Sequence, residues 1–401
     1  MVRRIGDSGY GNRFYNAPSV DVYVNVNYVR KRVHMNALEQ QLHYPLGTAL
    51  PGNGECLQVA PGVKWIRMAL PFALDHINLW LVRDTAKTAH GEQDGWAIVD
   101  CCIHNDEAKT NWERIFADHL DGLPVLRVIV THMHPDHIGL AHWLCTRWNV
   151  QLWISATDYQ VARFGCMGPT SFGGEPAAAF FAMHGLNSPD VVEQIRSRTN
   201  YFPTLVPSVP PNYRRLLDGA MLQMGNLQWR CISGYGHAPE HMALYCAELG
   251  VLIGGDMMLP RISTNVSVYE QEPEANALAL FLDSIDKFMS LPAQTLVLPS
   301  HGKPFTGLHQ RIQQLHDHHQ ERLQEVMQAC SEKPCSAADI IPFLFKRAMD
   351  MHQTTFAMGE SIAHLHMLWY ANKLTRTLDA DGVLRFFAAH AVATSGAPDH
   401  P

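Results

Sequence analysis

The sequence predicts a mixed α/β domain with a small, mostly helical appendage at its C-terminal end. Three observations carry this reading. Short apolar runs bounded by Gly, Pro and polar turns recur from residue 57 to residue 299, the pattern of buried strands. A long stretch with helical pieces interrupts them between Trp153 and Asn212. After Pro304 the strand runs stop, and amphipathic helical spacing takes over until one late hairpin.

In chain order, Leu57–Ala60 and Val63–Met68 flank Pro61-Gly62 and predict a hairpin. Ile77–Val82 and Trp96–Asp100 are further strands, the second ending on a carboxylate. Glu107 to Leu120 has helical spacing, with Trp112, Ile115, Phe116 and Leu120 near one face. Pro124–Val130 is the next buried strand. The stretch over about 153–212 is too long for a plain loop and reads as a mostly helical insertion, a lid or a dimer contact. Strands resume at Leu222–Met224, Gln228–Ile232, Ala243–Cys246, Val251–Gly255 and Thr295–Pro299. Beyond them, Leu308–Cys330, Ala337–Met349 and Ser361–Ala371 predict three helices. Leu374–Leu378 and Val383–Phe387 flank Asp379-Ala380-Asp381-Gly382 as a hairpin. Three helices plus a hairpin suggest a small winged-helix unit. The expected organisation is thus an extension over residues 1–34, a main domain over 35–304 and the helical unit over 305–401.

With 401 residues, 47% of them hydrophobic, the chain can bury a large core. A formal charge of -7 argues against a general nucleic-acid or anionic-membrane binder. No apolar run approaches the roughly 20 residues needed to span a bilayer. The nine cysteines are odd in number and form no C-x-x-C pair, so they read as small buried hydrophobes in a reducing, cytoplasmic setting. Residues 1–34 are rich in Arg, Tyr, Asn and Gly and lack the apolar stretch of a secretory signal. They read as a disordered extension or an upstream mis-called start.

The most informative segment is Thr131-His132-Met133-His134-Pro135-Asp136-His137, placed where the strand ending at Val130 runs into a loop. Imidazole and carboxylate are the usual ligands of zinc and its neighbours. Four such groups on so short a loop cannot all reach one ion, so the pattern points to two adjacent ions. Further ligand types sit at other strand ends: Asp100 after Val99, His237 after Gly236, Asp256 after Gly255, and His301 before Gly302. Small residues beside them let backbone crowd a site.

This set, over roughly residues 55 to 304, resembles the metallo-β-lactamase superfamily, whose H-x-H-x-D-H motif is matched by His132, His134, Asp136 and His137. The resemblance implies an αββα sandwich of two mixed sheets. It implies His132, His134 and His237 on a first metal, Asp136, His137 and His301 on a second, and Asp256 bridging. It also implies that Asp136 carries a proton to the leaving group. Asp100 reads as a carboxylate orienting a ligand or loop. Zinc is the default for the two divalent ions, with iron or manganese as alternatives. Asp at position 256 is the pattern of glyoxalase II-like thioesterases, lactonases and RNA-processing nucleases, and not of the antibiotic-resistance enzymes. The C-terminal unit resembles the winged-helix appendage of some superfamily hydrolases.

Five residues near the site are candidates for substrate contact: Tyr235, Arg261, Ser263, Asn265 and Lys303. Asp75-His76 are placed to line the cleft. His316, His318 and His319 read as a solvated helix face, and His241 as a residue near the site that does not ligate. The favoured function is hydrolysis of a small, partly hydrophobic ester, thioester or lactone, a metal-bound hydroxide attacking the carbonyl. An RNA or phosphodiester hydrolase is the alternative, opposed by eight Lys/Arg against ten Asp/Glu over residues 306–401. A non-enzymatic regulator is opposed by the complete ligand set. A homodimer is compatible with all three.

Overall fold

The computed structural model describes residues 38–89, 91–168 and 173–389. The extension expected over residues 1–34 lies outside the described residues. Strands β1 (Cys56–Ala60), β2 (Val63–Ala69), β3 (His76–Thr88) and β4 (Gly91–Val99) form an antiparallel meander. To it β5 (Val125–Ile129), β6 (Leu152–Ile154) and β7 (Tyr213–Arg215) add in parallel, completing a seven-stranded sheet in sequential order. The second sheet has five strands. Of these β8 (Met221–Met224), β9 (Leu227–Gly234), β10 (His241–Cys246) and β11 (Val251–Gly255) are antiparallel, and β12 (Leu296–Pro299) lies parallel to β11.

Side-chain alternation along these strands builds the layers. Trp80, Val82, Ala97, Val99 and Ile129 point from the first sheet into a core shared with Trp229, Met242, Leu244, Ile253 and Leu298 of the second. The intervening residues face outward. Leu79, Leu81, Ile98 and Val128 pack under α1 (Asp106–Asp118), α3 (Ala141–Trp148), α4 (Ala156–Met167) and α7 (Tyr201–Leu205), with the single turn α2 (Pro135–Ile138) between. On the other side Ala243, Tyr245, Leu252 and Val297 pack under α5 (Gly174–Met183), α6 (Pro189–Ser197) and α8 (Ala277–Asp286). Two sheets face to face with helices on both outer faces give the expected αββα order.

The C-terminal segment holds α9 (Leu308–Glu332), α10 (Ala337–Leu344), α11 (Met351–Tyr370) and the antiparallel pair β13 (Leu374–Leu378) and β14 (Leu384–Ala388). Its buried Leu315, Val326, Ile340, Met358, Ile362 and Phe386 belong to the same core as α5, α6 and α8. Two helix bounds differ from expectation. α10 stops at Leu344 instead of Met349. α11 begins at Met351 instead of Ser361, because Asp350 caps it by accepting from the Gln353 N–H at 2.8 Å. Strands β6 and β7 bracket the four helices α4–α7 of the insertion. At three residues each, they are too short for alternation to reveal. Among the described residues no helix is long and apolar enough to cross a membrane.

Candidate metal centre

The loops that follow β4, β5, β9, β11 and β12 bring the ligand-type residues to one end of the sandwich. His132 Nε2 lies 2.9 Å from His134 Nδ1 and 3.2 Å from His237 Nε2, and His237 Nε2 lies 3.3 Å from Asp256 Oδ2. Beside this group, His301 Nε2 is 3.4 Å from Asp136 Oδ2, and His137 Nε2 is 3.7 Å from the same oxygen. Asp256 Oδ1 faces the second group, 3.4 Å from His137 Nε2 and 3.5 Å from His301 Nε2. One carboxylate therefore turns one oxygen to each group. A tetrahedral ion with bonds of about 2.1 Å spaces its ligands about 3.4 Å apart, close to the separations found here.

Groups behind the imidazoles fix which nitrogen faces inward. The Asp100 carboxylate accepts from His137 Nδ1 at 2.8 Å. The carbonyls of Asn265 and His76 accept from His237 Nδ1 and His301 Nδ1, each at 2.7 Å. Thr131 Oγ1 donates to Asp100 and so accepts from His132 Nδ1 at 3.0 Å. With Nδ1 occupied, all four rings turn Nε2 inward. The Nε2 lone pairs of His132 and His237, 3.2 Å apart, repel one another unless a cation lies between them. His137 Nε2 and Asp256 Oδ1 are buried and have no hydrogen-bond partner. Orphaned polar atoms of this kind fit a divalent cation.

Electrostatics separates the two groups. Burial, reinforced by neighbouring imidazoles, holds His132 well below the usual histidine range and pushes His134 down to about 3. Both rings are neutral at physiological pH. Burial also opposes charge on His137 and His301. Around His137, Asp100, Asp136 and Asp256 outweigh it and hold the ring well above the usual range. Asp256 and Asp136 push His301 up to about 10. The second group thus attracts positive charge strongly.

A family profile described as Metallo-beta-lactamase superfamily matches residues 74–301, more than half of the chain. The chain belongs to the metallo-beta-lactamase superfamily. It is a metal-dependent hydrolase of that group, and its two His/Asp clusters are candidate metal sites. A second profile, Metallo-beta-lactamase-like, C-terminal domain, matches residues 323–389 and describes this piece in those terms instead of as a winged helix. The chain is 53% identical to a beta-lactamase domain protein of Burkholderia ambifaria whose crystal structure is known. That match covers 88% of this chain and 100% of the other, with a TM-score of 0.82. A metallo-beta-lactamase family protein of Thermus thermophilus is 28% identical over 82% of this chain and 100% of its own, with a TM-score of 0.67. A Bacillus subtilis protein named probable metallo-hydrolase YqjP is 24% identical over 76% of this chain and 91% of its own length.

Among the substrate candidates in this superfamily member, only Ser263 and Asn265 line the cleft of about 820 Å³ that opens over the metal centre. Three expectations are corrected. Tyr235 turns away, because Gly236 at φ +89 reverses the chain between it and His237. Its N–H donates to Ser284 Oγ at 2.9 Å, and the Lys287 ammonium sits over its ring. Arg261 reaches outward to Glu39, 3.9 Å away. Lys303 donates to the Gly47 carbonyl at 3.0 Å on the surface.

His76 is placed behind the site: its Nε2 accepts from the Gly302 N–H at 2.8 Å, and its carbonyl holds His301. His241 is fully buried behind the first group, accepting from the Asp256 N–H at 3.3 Å. Cys101 and Cys102 are buried in the core under α1. The solvated face expected of the α9 histidines is corrected at His319, which is fully buried against His364 at 3.3 Å.

Sequence reasoning missed Thr131 and Asp158. Thr131 bridges Asp100 and His132. Asp158 is fully buried in the first turn of α4 and accepts from Met133 N, Glu240 N and Ser155 Oγ at 2.8, 2.6 and 3.1 Å. It ties the His132–His134 loop to the loop carrying His237. Ser155-x-x-Asp158 was readable as a helix start, but nothing local discloses its distant partners. Also missed were the cleft residues of the insertion and of the C-terminal segment, Arg198, Tyr201, Phe345, Met351, His352 and Phe356 among them.

Proposed function

We propose that the protein is a dinuclear hydrolase of small, partly hydrophobic esters, thioesters or lactones. The observation that carries the reading is Asp256, with Oδ2 toward His237 and Oδ1 toward His137 and His301. His132, His134 and His237 would hold one ion and Asp136, His137 and His301 the other, with Asp256 shared. Two divalent cations there would supply Lewis acidity for the scissile carbonyl and lower the pKa of a coordinated water to about 7.

The chain's own residues do the rest. Imidazole ligands from His132, His134 and His237 would leave the Lewis acidity of their ion largely intact, and Asp136 and Asp256 would offset the excess charge. Asp136 also lines the cleft, where its carboxylate can take up the proton released at attack and pass it to the leaving group. Phe72, Leu74, Ile262, Phe345 and Phe356 give the cleft an apolar wall, which suits a small acyl group better than a polyanion. Arg198 and Arg347 are the only Lys or Arg residues in that wall, which disfavours a nucleic-acid substrate.

Elemental analysis of protein purified without added metal tests the reading, with zinc, iron and manganese all measured. About two ions per chain are expected, fewer in His132→Ala and in His301→Ala, together with chelator-sensitive hydrolysis of a thioester or lactone panel. A single ion per chain that is insensitive to His301→Ala would overturn the dinuclear assignment. Cleavage of single-stranded RNA with no ester turnover would overturn the substrate class.

A further inference from the structure

The cleft has two walls. One is the metal centre, and the other comes from the insertion and the C-terminal segment. Arg198, the residue that ends α6, sits in this second wall and is half-buried. Its guanidinium lies 4.1 Å from the centre of the Tyr201 ring. Its Nη2 donates to His352 Nδ1 on α11 at 2.8 Å. Burial, and then Arg198 itself, hold His352 below the usual histidine range, so this partner is neutral. No carboxylate among the described residues lies within ion-pair distance of Arg198. Arg198 and Tyr201 line the same cleft as Asp136, His237 and His301, so the cation and the candidate metal centre share one continuous space.

The half-buried guanidinium has a neutral ring and a phenol as its direct partners, and Glu270, which lines the adjoining pocket, stands outside ion-pair distance, so the charge is under-compensated. Its planar fork is pre-aligned by the stacking, and apolar neighbours such as Phe356 lower the local dielectric. Such a group binds a two-oxygen anion well. We propose that Arg198 is the specificity-determining residue of this cleft, selecting substrates whose non-scissile part carries a carboxylate or phosphate. This rests on the hydrolase reading above and narrows its substrate class. His352 acts as the positioning residue that holds the fork in place.

Two matched pairs of thioesters test the proposal on metal-loaded enzyme. Butanoyl against succinyl N-acetylcysteamine adds a carboxylate at the acyl end. Butanoyl-pantetheine against butanoyl-4′-phosphopantetheine adds a phosphate at the thiol end. The charged member of one pair is expected to be preferred by about tenfold or more in kcat/KM, mostly through KM. Arg198→Leu should remove that preference, lowering kcat/KM for the charged member about tenfold more than for the neutral one. Arg198→Lys should restore part of it.

Equal loss on charged and neutral substrates would identify Arg198 as a structural clamp between α6 and α11 and overturn the proposal, as would no preference in either pair. Calorimetric binding of succinate against butanoate, and of phosphopantetheine against pantetheine, separates the two readings. If no thioester turns over, the thioester branch of the hydrolase reading fails. A charge preference in binding that Arg198→Leu abolishes would still sustain the anion site, and equal binding of charged and neutral ligands would sink it.

Discussion

Asp100 illustrates what one residue contributes behind a metal centre. It follows β4 with φ at +64, a conformation costly for a residue with a Cβ. In return its fully buried carboxylate accepts from Thr131 N–H at 2.8 Å and from His137 Nδ1. Asp100→Asn keeps the shape and removes the charge that orients His137. We expect metal affinity to fall about 10- to 100-fold with little change in secondary structure, measured by competition against a chromogenic chelator. Unchanged affinity would reduce Asp100 to a loop-shaping role. Gly255 makes the complementary case. It sits at φ +54, and an added Cβ would lie 2.1 Å from His241 Nε2. Gly255→Ala should displace Asp256 and destabilise the fold by about 1–3 kcal/mol, read from a denaturant midpoint. At this scale the candidate ligands were legible because seven His and Asp residues lie at or just after strand ends. Tyr235, Arg261 and Lys303 were misassigned because proximity in sequence says nothing of which way a side chain leaves a turn.

Elements decide how those residues meet. The loop after β5 and the loop after β9 are far apart in sequence, and α4 joins them through Asp158. Removing that carboxylate strands two buried N–H groups, of Met133 and Glu240. Asp158→Ala should cost about 1–3 kcal/mol for each and lower the metal content at the first group. Urea unfolding monitored beside elemental analysis checks both, and stability unchanged within about half a kcal/mol would refute the role. The apolar runs of β2 to β5 and β9 to β12 were readable because alternation or continuous apolarity survives over four or more residues. The three-residue β6 and β7 carry too few positions for a period. The early start of α11 was hidden because its first turns, Met351–Phe356, border the cleft and mix polar with apolar residues.

The whole molecule adds a pH dependence that no single element has. His184 at the end of α5, His319 on α9 and His364 on α11 lie in the core beneath the second sheet. Burial first, then neighbouring histidines and Arg311, Arg322 and Arg376, push them down to about 3, 2 and 4 respectively. The unfolded chain takes up protons on these rings below about pH 6.5 while the folded chain does not. Stability is therefore complete above that pH and is lost as pH falls toward the folded values, by up to about 1.4 kcal/mol per pH unit for each ring. Urea midpoints at about pH 7.5 and pH 5, taken with chelator present so that the metal centre does not dominate, should show the fall. His319→Leu should flatten it, and an identical slope in the variant would refute the assignment.

The sequence by itself determined the superfamily, the two sheets and the seven ligand-type residues. The strands and the ligand types rest on local periodicity and on chemistry concentrated at strand ends, and the superfamily and its two sheets on the resemblance that those residues carry. Only the tertiary structure decided that Thr131 joins Asp100 to His132, that Asp158 ties together two of the site's loops, and that the C-terminal helices wall the cleft and bring His352 against Arg198. Each of these is a contact between segments distant along the chain, and packing, not local pattern, selects such contacts.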